Sequence, residues 1–163
     1  MLDEEKLKKM KKRAAKPQWT HVKVLAEDML VKAVAAENER RESVLSGERQ
    51  LLRNKVIAGS KLGKLFAGFK GVTLSADFDS RDDDVDVTAT FAGVEGDLTE
   101  SVPLPTDVKR RFAKLAHIPC PEHERKEAAA TVAAYVVVDA EVNQEAALLD
   151  LISLRVTDWV KAH

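Results

Sequence analysis

Two seven-residue runs constrain this chain more than anything else in it. In VTLSADF, Val72, Leu74, Ala76 and Phe78 alternate with Thr73, Ser75 and Asp77; in VDVTATF, Val85, Val87, Ala89 and Phe91 alternate with Asp86, Thr88 and Thr90. A period of two places all the apolar side chains of a strand on one face, so each run predicts a strand with a dry side and a wet side. The turn-forming DSRDDD between them joins the two as an antiparallel hairpin, because parallel neighbours need a far longer crossover. GVEGD supplies a second turn, and LTESVPL continues the alternation through Leu98, Val102 and Leu104, with Glu100 the odd member. Pro103 has no N–H to give to a ladder and marks this third run as an edge strand. The expected centre is a three-stranded antiparallel β-meander over residues 72–104.

A sheet with one apolar face must bury it, and helical patterns stand on both sides of the meander to do so. Trp19, Val22, Leu25, Ala26, Met29, Leu30, Ala33 and Val34 recur at steps of three and four, with Thr20 as a candidate N-cap. ENERRES is then polar on all sides, so the helix there projects into solvent or bridges to a partner chain. LSGERQLLRNKVIAG reads as a further helical piece, capped by Ser46, striped by Leu51, Leu52 and Val56 and stopped at Gly59. After the meander, Thr106 is expected to cap a helix that turns Val108, Phe112 and Leu115 inward. EHERKEAAATVAAYVVVDAEV starts as a helix, but residues 131–142 read as either helix or strand. Asn143 is expected to cap a final helix striped by Leu148, Leu151, Ile152, Trp159 and Val160. The fold class is therefore α+β, predominantly helical, with the meander packed against N-terminal and C-terminal helices. A basic N-terminal helix over residues 1–16, with apolar residues only at Leu2, Leu7 and Met10, is prone to fray. It precedes a single α+β domain over 17–163, with helices across 18–58 and 107–162.

A chain of 163 residues is long enough to bury about two-thirds of its unfolded surface in one domain. Its single cysteine excludes an intramolecular disulfide, and no apolar stretch typical of a secretion signal follows the opening MLDEEKLKKMKKR. Both observations give the expectation of a reducing, cytoplasmic setting. The longest apolar run, Ala128 to Val138, falls well short of the ~20 residues that span a bilayer, so no membrane partner is expected.

The net charge of -1 conceals a dipolar layout: residues 1–71 hold 17 Lys and Arg against 9 Asp and Glu, whereas residues 72–163 hold 9 against 18. Such asymmetry marks either a surface for nucleic acid or an acidic protein, or two halves that neutralise each other. Within RNKVIAGSKLGKLFAGFKG the cations Arg53, Lys55, Lys61, Lys64 and Lys70 interleave with Leu62, Leu65, Phe66 and Phe69, and three glycines suggest a hinge-rich connector. Lysines contact phosphates, and a flexible backbone lets them follow an irregular strand. The expected phosphate contacts are Lys61, Lys64 and Lys70, supported by Arg53, Lys55, Arg110 and Arg111. Against this stands the reading that Phe66 and Phe69 turn into the core while the lysines are simply solvated.

Other chemistry is weaker. In HIPCPEHE, His117, Cys120 and His123 recur every third residue and are good zinc ligands. The loop offers three ligands where structural zinc takes four, and no fourth is nominated. Pro119 and Pro121 suit a rigid elbow between helices, which is the reading adopted. No metal or cofactor is expected. The acidic DFDSRDDDVD fails the calcium-loop template: counted from Asp77, Asp82 stands where Gly is required and Thr88 where Glu is. It reads as a solvated hairpin turn. GSKLGKLF fails as a phosphate loop, with three residues between Gly59 and Gly63 and Leu65 in place of the magnesium-binding hydroxyl. Three antiparallel strands, a helix and a strand ending in VVVD are similar, in element order alone, to ribonuclease-H-like nucleases. That similarity implies that Asp77 or Asp79 shares magnesium with Asp139. Solvated surface carboxylates account for the same residues more simply. The expectation is thus a non-enzymatic nucleic-acid-binding or regulatory protein using its basic N-terminal half. The alternative is a protein–protein module, an assembly component or an inhibitor, that forms homo-oligomers through residues 19–45. A magnesium-dependent nuclease stands third.

Overall fold

In the computed structural model, which describes residues 4–163, the alternating runs become strands β1 (Val72–Phe78), β2 (Asp84–Phe91) and β3 (Asp97–Pro103). They pair antiparallel in the order β1-β2-β3. Val72 stands opposite Phe91, Phe78 opposite Val85, and Val85 in turn opposite Val102. This register puts the apolar residues of all three runs on one face. Central β2 buries Val85, Val87 and Ala89 completely. On the other face Thr73, Ser75 and Thr90 are exposed, and the Ser101 hydroxyl donates to Asp86 at 2.6 Å. Pro103 ends the edge strand β3.

Among the described residues six α-helices flank this sheet in sequence: α1 (Glu4–Ala14), α2 (Thr20–Gly59), α3 (Lys61–Phe66), α4 (Thr106–Lys114), α5 (Glu122–Val142) and α6 (Leu148–Ala162), with a short 3-10 turn at Pro17–Trp19 between α1 and α2. The fold is α+β and mostly helical, an open three-stranded meander flanked by N-terminal and C-terminal helices. Among the described residues no helix is long and apolar enough to cross a membrane. Leu2, counted in the apolar pattern of the first segment, lies outside the described residues.

The chain forms two compact units: one joins the N-terminal segment through Glu39 with His117–His163, and the other is Arg40–Ala116. In the first, Val22, Ala26, Leu30 and Val34 of α2 lie four residues apart and are buried together with α5 and α6 side chains, as one helical stripe requires. Helix α1 packs on α5, burying Ala14 and pairing Arg13 with Glu141 at 2.7 Å. Residues 131–142, ambiguous in sequence, are helical. Ala128, Ala129, Val132, Ala133, Ala134, Val136 and Val137 are all buried, so α5 is apolar around most of its circumference, as a core helix is. Its C-terminal half is fixed by Arg155, which forks onto both Asp139 oxygens at 2.7 and 2.8 Å and lies over the Tyr135 ring at 4.9 Å. Asn143 does not cap α6. It closes α5, donating its N–H to the Asp139 carbonyl at 2.8 Å, and Ala147 precedes α6.

In the second unit the dry face of the sheet is covered by Leu45, Leu52, Val56 and Ile57 of α2, Leu62 of α3, and Val108 and Phe112 of α4. Leu45, Leu52 and Val56 are spaced seven and four apart, which only an unbroken helix keeps on one stripe. This is why α2 runs through Ser46 and Gly47 instead of restarting there. The polar stretch also has partners inside the chain: Arg41 donates to the Ala116 carbonyl at 2.8 Å, and Asn38, in the first unit, bonds the Ile118 backbone. Thr106 is the first residue of α4, and Pro105, which carries no capping hydroxyl, occupies the N-cap position.

Candidate nucleic-acid interface

The segment expected to be a hinge-rich connector contains α3, a helix built on a tight junction. Ser60 caps it: its hydroxyl accepts from the Gly63 N–H at 2.9 Å and donates to the Ile57 carbonyl at 2.7 Å. A Cβ at position 63 would lie 1.7 Å from the Ile57 carbonyl oxygen, so glycine is required there for close approach rather than for flexibility. Glu100, the odd residue of the β3 alternation, completes the junction. Its two carboxylate oxygens accept from the Lys61 and Leu62 N–H groups, each at 3.2 Å. A carboxylate at a helix N-terminus takes up N–H groups that have no partner within the helix, which is why an acid stands among apolar residues on that face.

With α3 held against the sheet through Leu62 and buried Gly63, Lys61 and Lys64 project outward and are exposed. Lys70 is exposed as well, in a turn between Gly68 (φ +77) and Gly71 (φ +79). The Ala92 N–H donates to the Gly71 carbonyl at 2.8 Å and ties this turn to the end of β2. Among the described residues no carboxylate pairs with the ammonium group of Lys61, Lys64 or Lys70. Residues 49–76 hold six Lys and Arg and no Asp or Glu. The two phenylalanines part company. Phe66 is half-buried, edge-to-face with Phe91 at 5.2 Å, whereas Phe69, expected to turn inward, is 62% exposed and touches Phe66 edge-to-face at 6.0 Å.

The supporting cations are placed less uniformly. Lys55 and Arg110 are exposed. Arg53 is half-buried, bonded to Gln50 at 3.1 Å and stacked over Phe78 at 5.6 Å. Arg111 is committed to Glu48, to which its Nε donates at 2.7 Å, and this partnership raises its pKa above the ordinary guanidinium value. Lys55 and Arg111 share the rim of a surface hollow of about 310 Å³, floored by Leu52 and Phe112. Lys61, Lys64 and Lys70 are thus each exposed, whereas Arg53 is half-buried over Phe78 and Arg111, itself exposed, is paired with Glu48.

The acidic hairpin turn is not merely solvated. Asp79 accepts from the Asp83 N–H at 2.8 Å, and Asp82, in the left-handed region at φ 54, binds Arg49 at 2.6 Å. Lys109 approaches Asp83 at 3.7 Å. Arg49 also lies over Phe78 at 5.7 Å and Phe112 at 5.8 Å. Sequence reasoning missed this Arg49 cluster, whose partners are separated by tens of residues and share no motif.

The segment His117–Pro121 is a connector without helix or strand between α4 and α5. It does not bring His117, Cys120 and His123 together, and among the described residues no three His, Cys, Asp or Glu side chains gather as metal ligands. Cys120 packs on the apolar core of the first unit, and His123 faces Glu127 at 3.9 Å. Asp139, placed at a strand end by the nuclease comparison, lies within helix α5 and is occupied by Arg155, while Asp77 stands opposite Asp86 in the sheet. Comparisons with protein-family models, curated proteins and solved structures find no match.

Proposed function

We propose that this protein is a non-enzymatic binding protein that takes a polyanion, nucleic acid in the first instance, on Lys61, Lys64 and Lys70, with Lys55 and Arg110 extending the contact. The observation that carries the reading is the state of those three ammonium groups: they are exposed, have no carboxylate partner among the described residues, and belong to a stretch with no acid of its own. Surface lysines gain from phosphates by releasing condensed counterions, which needs neither a groove nor a catalytic group. Glu100, which accepts from the Lys61 and Leu62 N–H groups, is engaged by the α3 backbone and not by these ammonium groups. Titrating salt against binding to single- and double-stranded DNA and RNA tests the reading. Affinity should fall steeply with salt and should collapse in Lys61→Glu plus Lys64→Glu. Undiminished affinity in that double variant removes these residues from the site.

A second reading, self-association through residues 19–45, is favoured by Val24 and Val31, which are seven residues apart on α2 and 64% and 38% exposed. Leu30 belongs to the core, so the informative substitutions are Val24→Glu and Val31→Glu. Sedimentation should then give a mass above 18.0 kDa that these changes reduce. A monomer at high concentration ends this reading.

A further inference from the structure

Resting on the reading above, we infer that the polyanion is single-stranded nucleic acid, with a base stacked on the ring of Phe69 while Lys64 and Lys70 hold the flanking phosphates. Phe69 and Lys70 are the two residues between Gly68 and Gly71, both of which have positive φ, and both side chains in this turn are exposed. The ring is not loose. It meets Phe66 edge-to-face at 6.0 Å and an interplanar angle of 84°, and Phe66 meets Phe91 at 5.2 Å and 76°. This ladder of three rings connects the surface to the end of β2, leaving Phe69 62% exposed. Leu65, on α3, is exposed to the same extent and adds a second apolar contact.

An exposed ring supported from behind and flanked by lysines is the arrangement that bases stack on, and it tolerates any sequence because every base has a flat face. A duplex hides those faces and presents only edges and phosphates. Reading its major groove takes a helix or ribbon that can enter it. Helix α3 has six residues, one side of which, Leu62 and Gly63, is committed to the protein interior. An acidic peptide or an anionic bilayer would use the lysines but would leave the stacking geometry without a role.

The test compares the full chain with Phe69→Ala and Phe69→Trp. Fluorescence anisotropy is read on labelled oligothymidylate and oligouridylate longer than the roughly 4–16 nucleotides a small binding domain covers, and on a duplex of equal length. Sedimentation with vesicles of anionic phospholipid runs in parallel. Phe69→Ala should weaken single-strand binding by about 5- to 150-fold without changing the salt slope, which counts phosphates and not bases. Phe69→Trp should retain affinity, separating loss of stacking from loss of fold, and the duplex should bind more weakly than either single strand. Three results overturn the inference: Phe69→Ala binding like the unsubstituted chain, a duplex held as tightly as single strands, or binding confined to the vesicles. If instead the Lys61→Glu plus Lys64→Glu variant binds single strands undiminished, the underlying lysine reading fails, and that failure is recognisable separately from a silent Phe69→Ala.

Discussion

Asn38 and Ile118 hold each other by two hydrogen bonds: the Ile118 N–H donates to Asn38 Oδ1 at 2.7 Å, and Asn38 Nδ2 donates to the Ile118 carbonyl at 3.1 Å. Ile118 is 5% exposed and lies outside any helix or strand, so its backbone has no ladder to join, and the next residue, Pro119, has no N–H. The asparagine amide takes the place of a strand neighbour. Asn38→Ala strands both groups and should cost about 1–3 kcal/mol. The change reads as a lower urea midpoint with an unchanged slope, and an unaltered midpoint would show that water replaces the amide.

Gly63 and Gly47 should respond oppositely to alanine. At position 63 a Cβ meets the Ile57 carbonyl oxygen at 1.7 Å and Ser60 Oγ at 2.9 Å, whereas at position 47 nothing lies within 4 Å. Gly63→Ala must open the α2–α3 junction and should destabilise by about 2 kcal/mol or more. Gly47→Ala, in the middle of α2, should stabilise by roughly 0.5–1 kcal/mol. Thermal unfolding of the two variants side by side checks the pair.

Glu122 supplies a pH signature. A hydrogen bond from Lys126, at 2.9 Å, is the main reason its carboxyl titrates below the ordinary value of 4.5, with the charges of Lys126 and Arg125 adding to the effect. A carboxyl depressed in the folded state favours folding above its unfolded pKa, and that contribution fades as pH falls through the folded pKa. The window therefore lies below 4.5. Carboxyl-carbon NMR should place the Glu122 midpoint below that value and return it toward 4.5 in Lys126→Gln.

Arg111 should matter less to binding than its charge suggests, because Glu48 already engages it. Arg111→Gln should leave nucleic-acid affinity within about twofold and the salt slope unchanged. Lys64→Gln should instead lower the slope by roughly 0.7 for each single-strand phosphate that the side chain neutralises. Equal weakening in the two variants would put Arg111 back on the binding surface.

The sheet was legible because its signal is local. Runs ending at Phe78 and Phe91 became strands ending at the same residues, since period two depends on nothing beyond the strand and one covered face. Glu100 was not legible: its reason for interrupting the alternation is two N–H groups at the start of α3, 39 and 38 residues away. Ser46 and Asn143 looked like caps because their side chains suit that role, yet core packing carried α2 through the first, and the chain placed the second at the end of α5. For the candidate site, the lysines could be nominated from charge alone. The exposure of Phe69 could not, because it depends on two left-handed glycines whose conformation no neighbouring residue announces.

Helix α5 has a consequence for the chain before it is folded. From Ala128 to Val138 it contains no charge, no proline and no glycine, and Tyr135 to Val138 is as apt for cross-β stacking as for a helix. Packing against α1 and α6 hides that window in the finished protein. A nascent or denatured chain shows it to every other copy in solution, so the yield on refolding is governed by how dilute the chains are kept while α5 finds its neighbours.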